Sequence, residues 1–173
     1  MDAVALYAPP LERTIWRFKY HGIAGWGVIF GRLILGWLNA HADEVADVDL
    51  ILGNPTAPER TPVRHIETMM ESAFAEDSRG RWPIADPASP VLVKRGETKK
   101  SANSKTWGAK MEAARLHAAA LRIRRSVEGQ RVLLVDDIFT TGATFHTVGE
   151  RLINDWGAAE VRGLVLARVP NRA

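Results

Sequence analysis

Cysteine is absent from the 173 residues, which excludes disulfides and thiolate zinc sites together. An excess of either charge is also missing. The 23 Lys and Arg stand against 20 Asp and Glu, a net of +3, which suits an anionic substrate and is too small to argue for nucleic acid. No apolar run reaches the roughly 20 residues of a membrane span. The nearest, Ile23 to Leu38, is broken by Arg32 and carries four glycines; it reads as a buried amphipathic helix on Val28, Ile29, Leu33, Leu35 and Trp37. The opening Met1-Asp2-Ala3-Val4 lacks the basic stretch of a signal peptide. Internal repeats and linkers are lacking too. These absences predict a cytoplasmic protein, not held in a membrane, with a single domain over 1–173. A chain of this length buries about 70% of the surface it exposes when unfolded.

What is present alternates. Helices are predicted over 11–20, 24–41, 61–75 (Val63, Ile66, Met69, Met70 and Phe74 at helical spacing) and 108–121, and after residue 144 with Phe145, Val148, Leu152, Ile153 and Trp156 on one face. Strands are predicted over 48–52, 91–93, 131–135 and 160–167, and 78–90 reads as loop. The pattern implies βαβ units, hence an α/β fold with a mainly parallel sheet and helices on both faces. Residues 1–45 are expected to form a small N-terminal helical hood over the carboxyl edge of a sheet core at 46–173. Lys94 to Trp107 shows no apolar periodicity, is rich in Lys, Ser and Thr, and reads as a long loop of the kind that is often functional.

One stretch organises the rest. Arg131-Val-Leu-Leu-Val135 is a buried strand, Asp136 and Asp137 stand at its end, and Phe139-Thr140-Thr141-Gly142-Ala143-Thr144 leads into a helix. A loop that opens a helix at the carboxyl edge of a parallel sheet offers free N–H groups and a positive dipole end to an anion. Three threonine hydroxyls add donors, and Gly142 lets the backbone approach a ligand. The two carboxylates repel phosphate and suit sugar hydroxyls or a divalent cation. The stretch therefore asks for a phosphate at one end and a diol, with or without a metal, at the other.

The run Val132 to Thr144 resembles the phosphoribosyl-pyrophosphate (PRPP) motif of type I phosphoribosyltransferases. The resemblance implies a Rossmann-like phosphoribosyltransferase fold in which Asp136 and Asp137 are catalytic and hold the ribose hydroxyls, while Thr140, Thr141, Gly142, Ala143 and Thr144 wrap the 5′-phosphate. It also implies Mg²⁺, held directly or indirectly by Asp136 and Asp137. A loop in the place of Gly53-Asn54-Pro55-Thr56-Ala57 binds pyrophosphate in that family, which makes Asn54, Pro55 and Thr56 candidates, along with Lys99 and Lys100 from the lysine-rich loop that also carries Lys94, Arg95 and Lys105. The alternatives for these two loops are a plain turn and a solvated charge run.

Phe18-Lys19-Tyr20-His21-Gly22 and the ending 157–168 are similar to the ComF (competence, GntX-like) branch. The branch's four-cysteine zinc module is absent, its Arg-Gly-Phe-Asn-Gln segment stands here as Arg64-His65-Ile66-Glu67-Thr68, and its Arg-x-x-Asn pair as Ala113 and Leu116. The resemblance implies an enzyme that passes the phosphoribosyl group of PRPP to a nucleophile with release of pyrophosphate; the alternative is a non-catalytic PRPP- or nucleotide-binding accessory of DNA uptake. His21 is either a general base or a surface histidine. The basic residues of 94–105 and 122–131, among them Arg122, Arg124, Arg125 and Arg131, leave single-stranded DNA as a weaker candidate partner. Oligomeric state is left open, and with only Arg168 to Ala173 after the last strand, residues 1–45 are expected to cover the site.

Overall fold

The predicted alternation is realised in the computed structural model, which describes residues 1–96, 98 and 106–170. In chain order the elements are β1 (Asp2–Leu6), α1 (Leu11–His21), α2 (Gly25–Ala40), β2 (Leu50–Gly53), α3 (His65–Glu76), β3 (Leu92–Lys94), α4 (Trp107–Ala120), β4 (Leu121–Ile123), β5 (Arg131–Phe139), α5 (Ala143–Asn154) and β6 (Glu160–Arg168). Four strands form a parallel sheet in the order β1-β6-β5-β2. Helices lie on both faces, as expected of a parallel sheet whose strands are apolar on both sides. On one face Ile15, Phe18, Phe30 and Ile34 of α1 and α2 join Ile66 and Met69 of α3 over Ile51, Leu133 and Val135. On the other, Ala118 of α4 and Val148 and Leu152 of α5 meet Leu52, Val132 and Leu134. The alternation along β5 divides its side chains between the two cores.

The structure departs from expectation in four places. The chain opens with a strand: β1 pairs along the outer edge of β6, with Asp2 opposite Leu164 and Leu6 opposite Arg168. Five residues of mixed polarity at an edge carry no clean period, which hides such a strand from pattern reading. The segment expected to supply only helices thus gives the sheet a strand, and α2 lies against α3 as a layer. Second, β5 runs on through both acids to Phe139, because β6 pairs with it as far as Arg168; tertiary pairing overrides the low strand preference of aspartate. Third, β3 is outside the main sheet and makes an antiparallel ribbon with β4. This ribbon joins the start of the lysine-rich loop to the chain that leaves α4.

The fourth departure is the buried face of α2. Val28, Ile29 and Leu33 are each about 40% exposed, and Phe30, Ile34 and Leu38 are buried in their place, while Trp37 and Leu35 pack into the core as expected. The glycines explain the rotation. A Cβ on Gly27 would stand 2.6 Å from Thr68 Cγ2, and one on Gly31 would stand 2.7 Å from the backbone N of Ala73. Two glycines four residues apart let α2 and α3 come into backbone contact, and that contact fixes which side of α2 faces inward. Among the described residues, no helix is long and apolar enough to cross a membrane.

Candidate functional site

The loop after β5 is built as an anion cradle. Gly142 adopts a left-handed conformation (φ 78°) and starts α5 with no side-chain cap. The first helical hydrogen bond runs from His146 N–H to Gly142 O at 2.9 Å, so the N–H groups of Ala143, Thr144 and Phe145 have no acceptor within the helix. The hydroxyls of Thr140, Thr141 and Thr144 have no hydrogen-bond partner among the described residues. Thr140 and Thr141 are exposed and Ala143 is buried. Ala143 packs with Met111 and Ala114, and Thr147 Oγ1 donates to Ala114 O at 3.2 Å, so α4 braces the cradle from behind.

The two acids have separate surroundings. Asp137 is buried, and its Oδ2 receives Lys19 Nζ at 2.5 Å and His65 Nε2 at 2.9 Å. Burial works to raise the Asp137 pKa, but the Lys19 ammonium and the His65 hydrogen bond outweigh it and hold the carboxyl well below the usual range. Burial pulls Lys19 down, and the Asp137 charge more than compensates, so Lys19 stays charged with a raised pKa. Burial lowers the His65 pKa in spite of Asp137; His65 is therefore neutral, with its proton on Nε2. Asp137 Oδ1 has no hydrogen-bond partner among the described residues and is not sealed from solvent, so it is the oxygen left to accept from a ligand.

Asp136 turns towards α4. Its Oδ2 accepts from Asn54 Nδ2 at 2.8 Å and its Oδ1 from the Asp137 backbone N–H at 2.8 Å. Asn54 Oδ1 accepts in turn from His117 Nε2 at 2.8 Å, and burial takes His117 down to about 4, so it is a neutral donor. Burial, and then the charge of Asp137, push Asp136 up to about 7. One aspartate is thus held ionised and the other is poised near neutrality.

Both acids line a cleft of about 210 Å³ at the carboxyl edge of the sheet. Of the residues expected from sequence, it brings together Asn54, Pro55, Thr56, Lys94, Asp136, Asp137 and Thr144. Thr140, Thr141, Gly142 and Ala143 belong to the cradle beside it. Thr56 turns its donors away, since its N–H and Oγ1 bond Glu67 at 2.9 and 2.6 Å. Lys99 and Lys100 lie outside the described residues. His21 is not in the cleft lining and sits against the Trp16 ring, 4.5 Å between centroids. Arg131 pairs with Asp49 at 3.3 Å and Asp47 at 3.4 Å, and Arg122 bonds the carbonyls of Ala119 and Leu121, so neither is an open phosphate contact.

Sequence reasoning did not find Arg60, His65 or His117, and met Lys19 and Tyr20 only as part of a resemblance. Each stands far from the acids along the chain, and only the fold converges them. Among the described residues no three His, Cys, Asp or Glu gather as metal ligands. With Asp137 neutralised by Lys19, the residues do not form a resident Mg²⁺ site.

A family model described as Phosphoribosyl transferase domain matches residues 87–173. No curated protein matches the chain. Among solved structures, the chain is similar to a mutant hypoxanthine phosphoribosyltransferase from Trypanosoma cruzi complexed with the product IMP, at 12% identity over 82% of this chain and 70% of that one, with a TM-score of 0.40. It is also similar to the purine phosphoribosyltransferase from Pyrococcus horikoshii Ot3, at 16% identity over 83% of each chain, with a TM-score of 0.37.

Proposed function

The chain belongs to the phosphoribosyl transferase domain family, and from that premise we propose that it binds PRPP and transfers the phosphoribosyl group to a nucleophile. The observation that carries this reading is the open cradle at 140–145 set beside the acid pair. The 5′-phosphate meets the N–H groups of Ala143, Thr144 and Phe145 and the threonine hydroxyls. The ribose hydroxyls donate to Asp136 and to Asp137 Oδ1, each charge-assisted bond contributing about 1.5–3 kcal/mol. Mg²⁺ would enter with the diphosphate as part of the substrate and would offset the charge of the leaving group.

In the transfer, the bond between the anomeric carbon and the diphosphate oxygen breaks and its electron pair leaves with pyrophosphate. The nucleophile's lone pair forms the new bond to that carbon, and its proton passes to Asp136 or to water. Positive charge developing on the ribose is stabilised by the two carboxylates fixed at the sheet edge. Lys19 and His65 are positioning residues that keep Asp137 ionised and aimed. Calorimetric titration with Mg²⁺-PRPP tests the binding step. We expect saturable heat in the wild type and a loss of about tenfold or more in affinity for Asp136→Asn; no heat in the wild type refutes the reading.

A second reading is a non-catalytic PRPP- or nucleotide-binding protein of the ComF-like branch. Lys19, Tyr20 and Gly22 of the branch-like segment support the branch by having separate physical roles: Lys19 holds Asp137, Tyr20 lines the cleft, and Gly22 caps α1 at φ 66°. The replaced 64–68 segment supports loss of turnover. Release of pyrophosphate with any member of a panel of nitrogen nucleophiles excludes the non-catalytic form.

A further inference from the structure

The segment 54–57 after β2 has already committed most of its donors, and of its backbone N–H groups only that of Ala57 is left without an acceptor among the described residues. Asn54 N–H donates to Val135 O at 2.8 Å, Pro55 has no N–H, and Thr56 gives both its N–H and its hydroxyl to Glu67. The Asn54 amide is divided between Asp136 and His117. An anion that enters here meets few backbone donors and instead meets Arg60. Arg60 N–H closes a turn on Ala57 O at 3.0 Å, and its side chain lines the cleft beside Tyr20 and His65. The Tyr20 ring, 5.6 Å from Arg60 Cζ, supports the guanidinium. Among the described residues no carboxylate pairs with Arg60, and its buried Nε has no hydrogen-bond partner. Of the other two cations in the same cleft, Lys19 is committed to Asp137 and Lys94 donates to Thr98 Oγ1 at 2.9 Å. A buried donor without an acceptor is costly to the free protein and is satisfied by a ligand oxygen. The planar guanidinium fork matches two phosphate oxygens.

We infer that Arg60 is the main seat of the diphosphate leaving group, since the backbone of residues 54–57 has only the Ala57 N–H left to offer. This rests on the PRPP reading above. The arrangement fits that substrate: Arg60, Tyr20 and His65 stand on the α1 and α3 side of the acids, while the cradle of α5 is braced by α4 on the other. Two anion seats then flank one diol site, in the order that diphosphate, ribose and 5′-phosphate follow in PRPP. Charge gathering on the leaving oxygen is met by a cation fixed before reaction.

The experiment is calorimetric titration of wild type, Arg60→Met and Arg60→Lys with two probes, Mg²⁺-pyrophosphate and ribose 5-phosphate. Circular dichroism melts confirm that each variant is folded. We expect Arg60→Met to weaken pyrophosphate about ten- to a hundredfold and to leave ribose 5-phosphate within about twofold, with Arg60→Lys between. Unchanged pyrophosphate affinity in Arg60→Met, an equal loss for both probes, or a wild type that binds ribose 5-phosphate and not pyrophosphate overturns the Arg60 assignment alone. A wild type that fails to bind ribose 5-phosphate overturns the PRPP reading itself, so the two failures are distinct. An Arg60 that seats an acceptor's carboxylate instead leaves pyrophosphate affinity intact, and so falls among the overturning results.

Discussion

At the scale of single residues, the acid pair shows two aspartates made unlike by their neighbours, and the difference is open to measurement. Asp136 is pushed up to about 7, against about 4 in an unfolded chain. A carboxyl with a raised folded pKa weakens the fold as pH climbs from about 4 to about 7, and the full cost stands above that. Asp136→Asn removes the cost. It should raise the melting temperature at pH 8 by about 2–6 °C and change it little at pH 4, while lowering affinity for PRPP. An unchanged melt at pH 8 refutes the placement of Asp136. Asp137 has the opposite sign, since its pKa is depressed. Its ion pair supplies stability that is present above about pH 4 and lost as pH falls through the folded value. The Lys19 side of the pair persists until pH rises past its own raised pKa. Lys19→Met leaves Asp137 a buried charge with a neutral histidine, at a cost of about 3 kcal/mol near pH 7. The loss should shrink towards pH 3, and Asp137→Asn in the same chain should recover part of it. A simple sum of the two single losses, read from urea melts, denies the coupling.

At the scale of elements, the legible parts were those whose physics is local. β2, β5 and β6 are apolar runs, α3 and α5 carry period 3.6, and the Thr-Thr-Gly-Ala-Thr loop declares a helix start. What was not legible depends on neighbours. β1 exists because β6 offers an edge, Asp136 to Phe139 are strand because β6 extends beside them, and α2 is turned by its contact with α3. The glycines of α2 put that last point to a paired test. Gly31→Ala would bring a Cβ to 2.7 Å from the Ala73 backbone, whereas one on Gly36, in the same helix, meets nothing within 4 Å. Gly31→Ala should therefore destabilise by about 1–3 kcal/mol, and Gly36→Ala should stabilise by about 0.5–1 kcal/mol through helix propensity. Equal effects in thermal melts would show that Gly31 answers only to propensity and that the close approach of α2 and α3 is not needed.

At the scale of the whole molecule, the cradle and the acids could be read from thirteen consecutive residues, but their supporting shell, Asn54 apart, could not. Lys19, Arg60, His65 and His117 come from α1, the segment after β2, the start of α3 and α4. Nothing in their spacing announces convergence, since a histidine or lysine acquires a role only from what faces it. The same dispersal has a thermodynamic consequence. A ligand that binds this cleft and not the unfolded chain engages both cores at once, so it should stabilise the molecule as a whole and not a single loop. At a hundred times its dissociation constant, ribose 5-phosphate should add about 2.7 kcal/mol, which for a chain of this size is a rise of about 5–10 °C. Tryptophan fluorescence and far-ultraviolet circular dichroism should shift together, because the six tryptophans run from Trp16 in α1 to Trp156 just after α5 and the helical signal comes from both faces of the sheet. Gly142→Ala provides the control. Its Cβ would force a side chain into a left-handed φ, 3.1 Å from the Phe139 ring, so the cradle deforms while the acids and Arg60 stay in place. In that variant the rise should fall by more than half. A full rise in Gly142→Ala, or a shift seen by one probe alone, places the phosphate somewhere other than the start of α5.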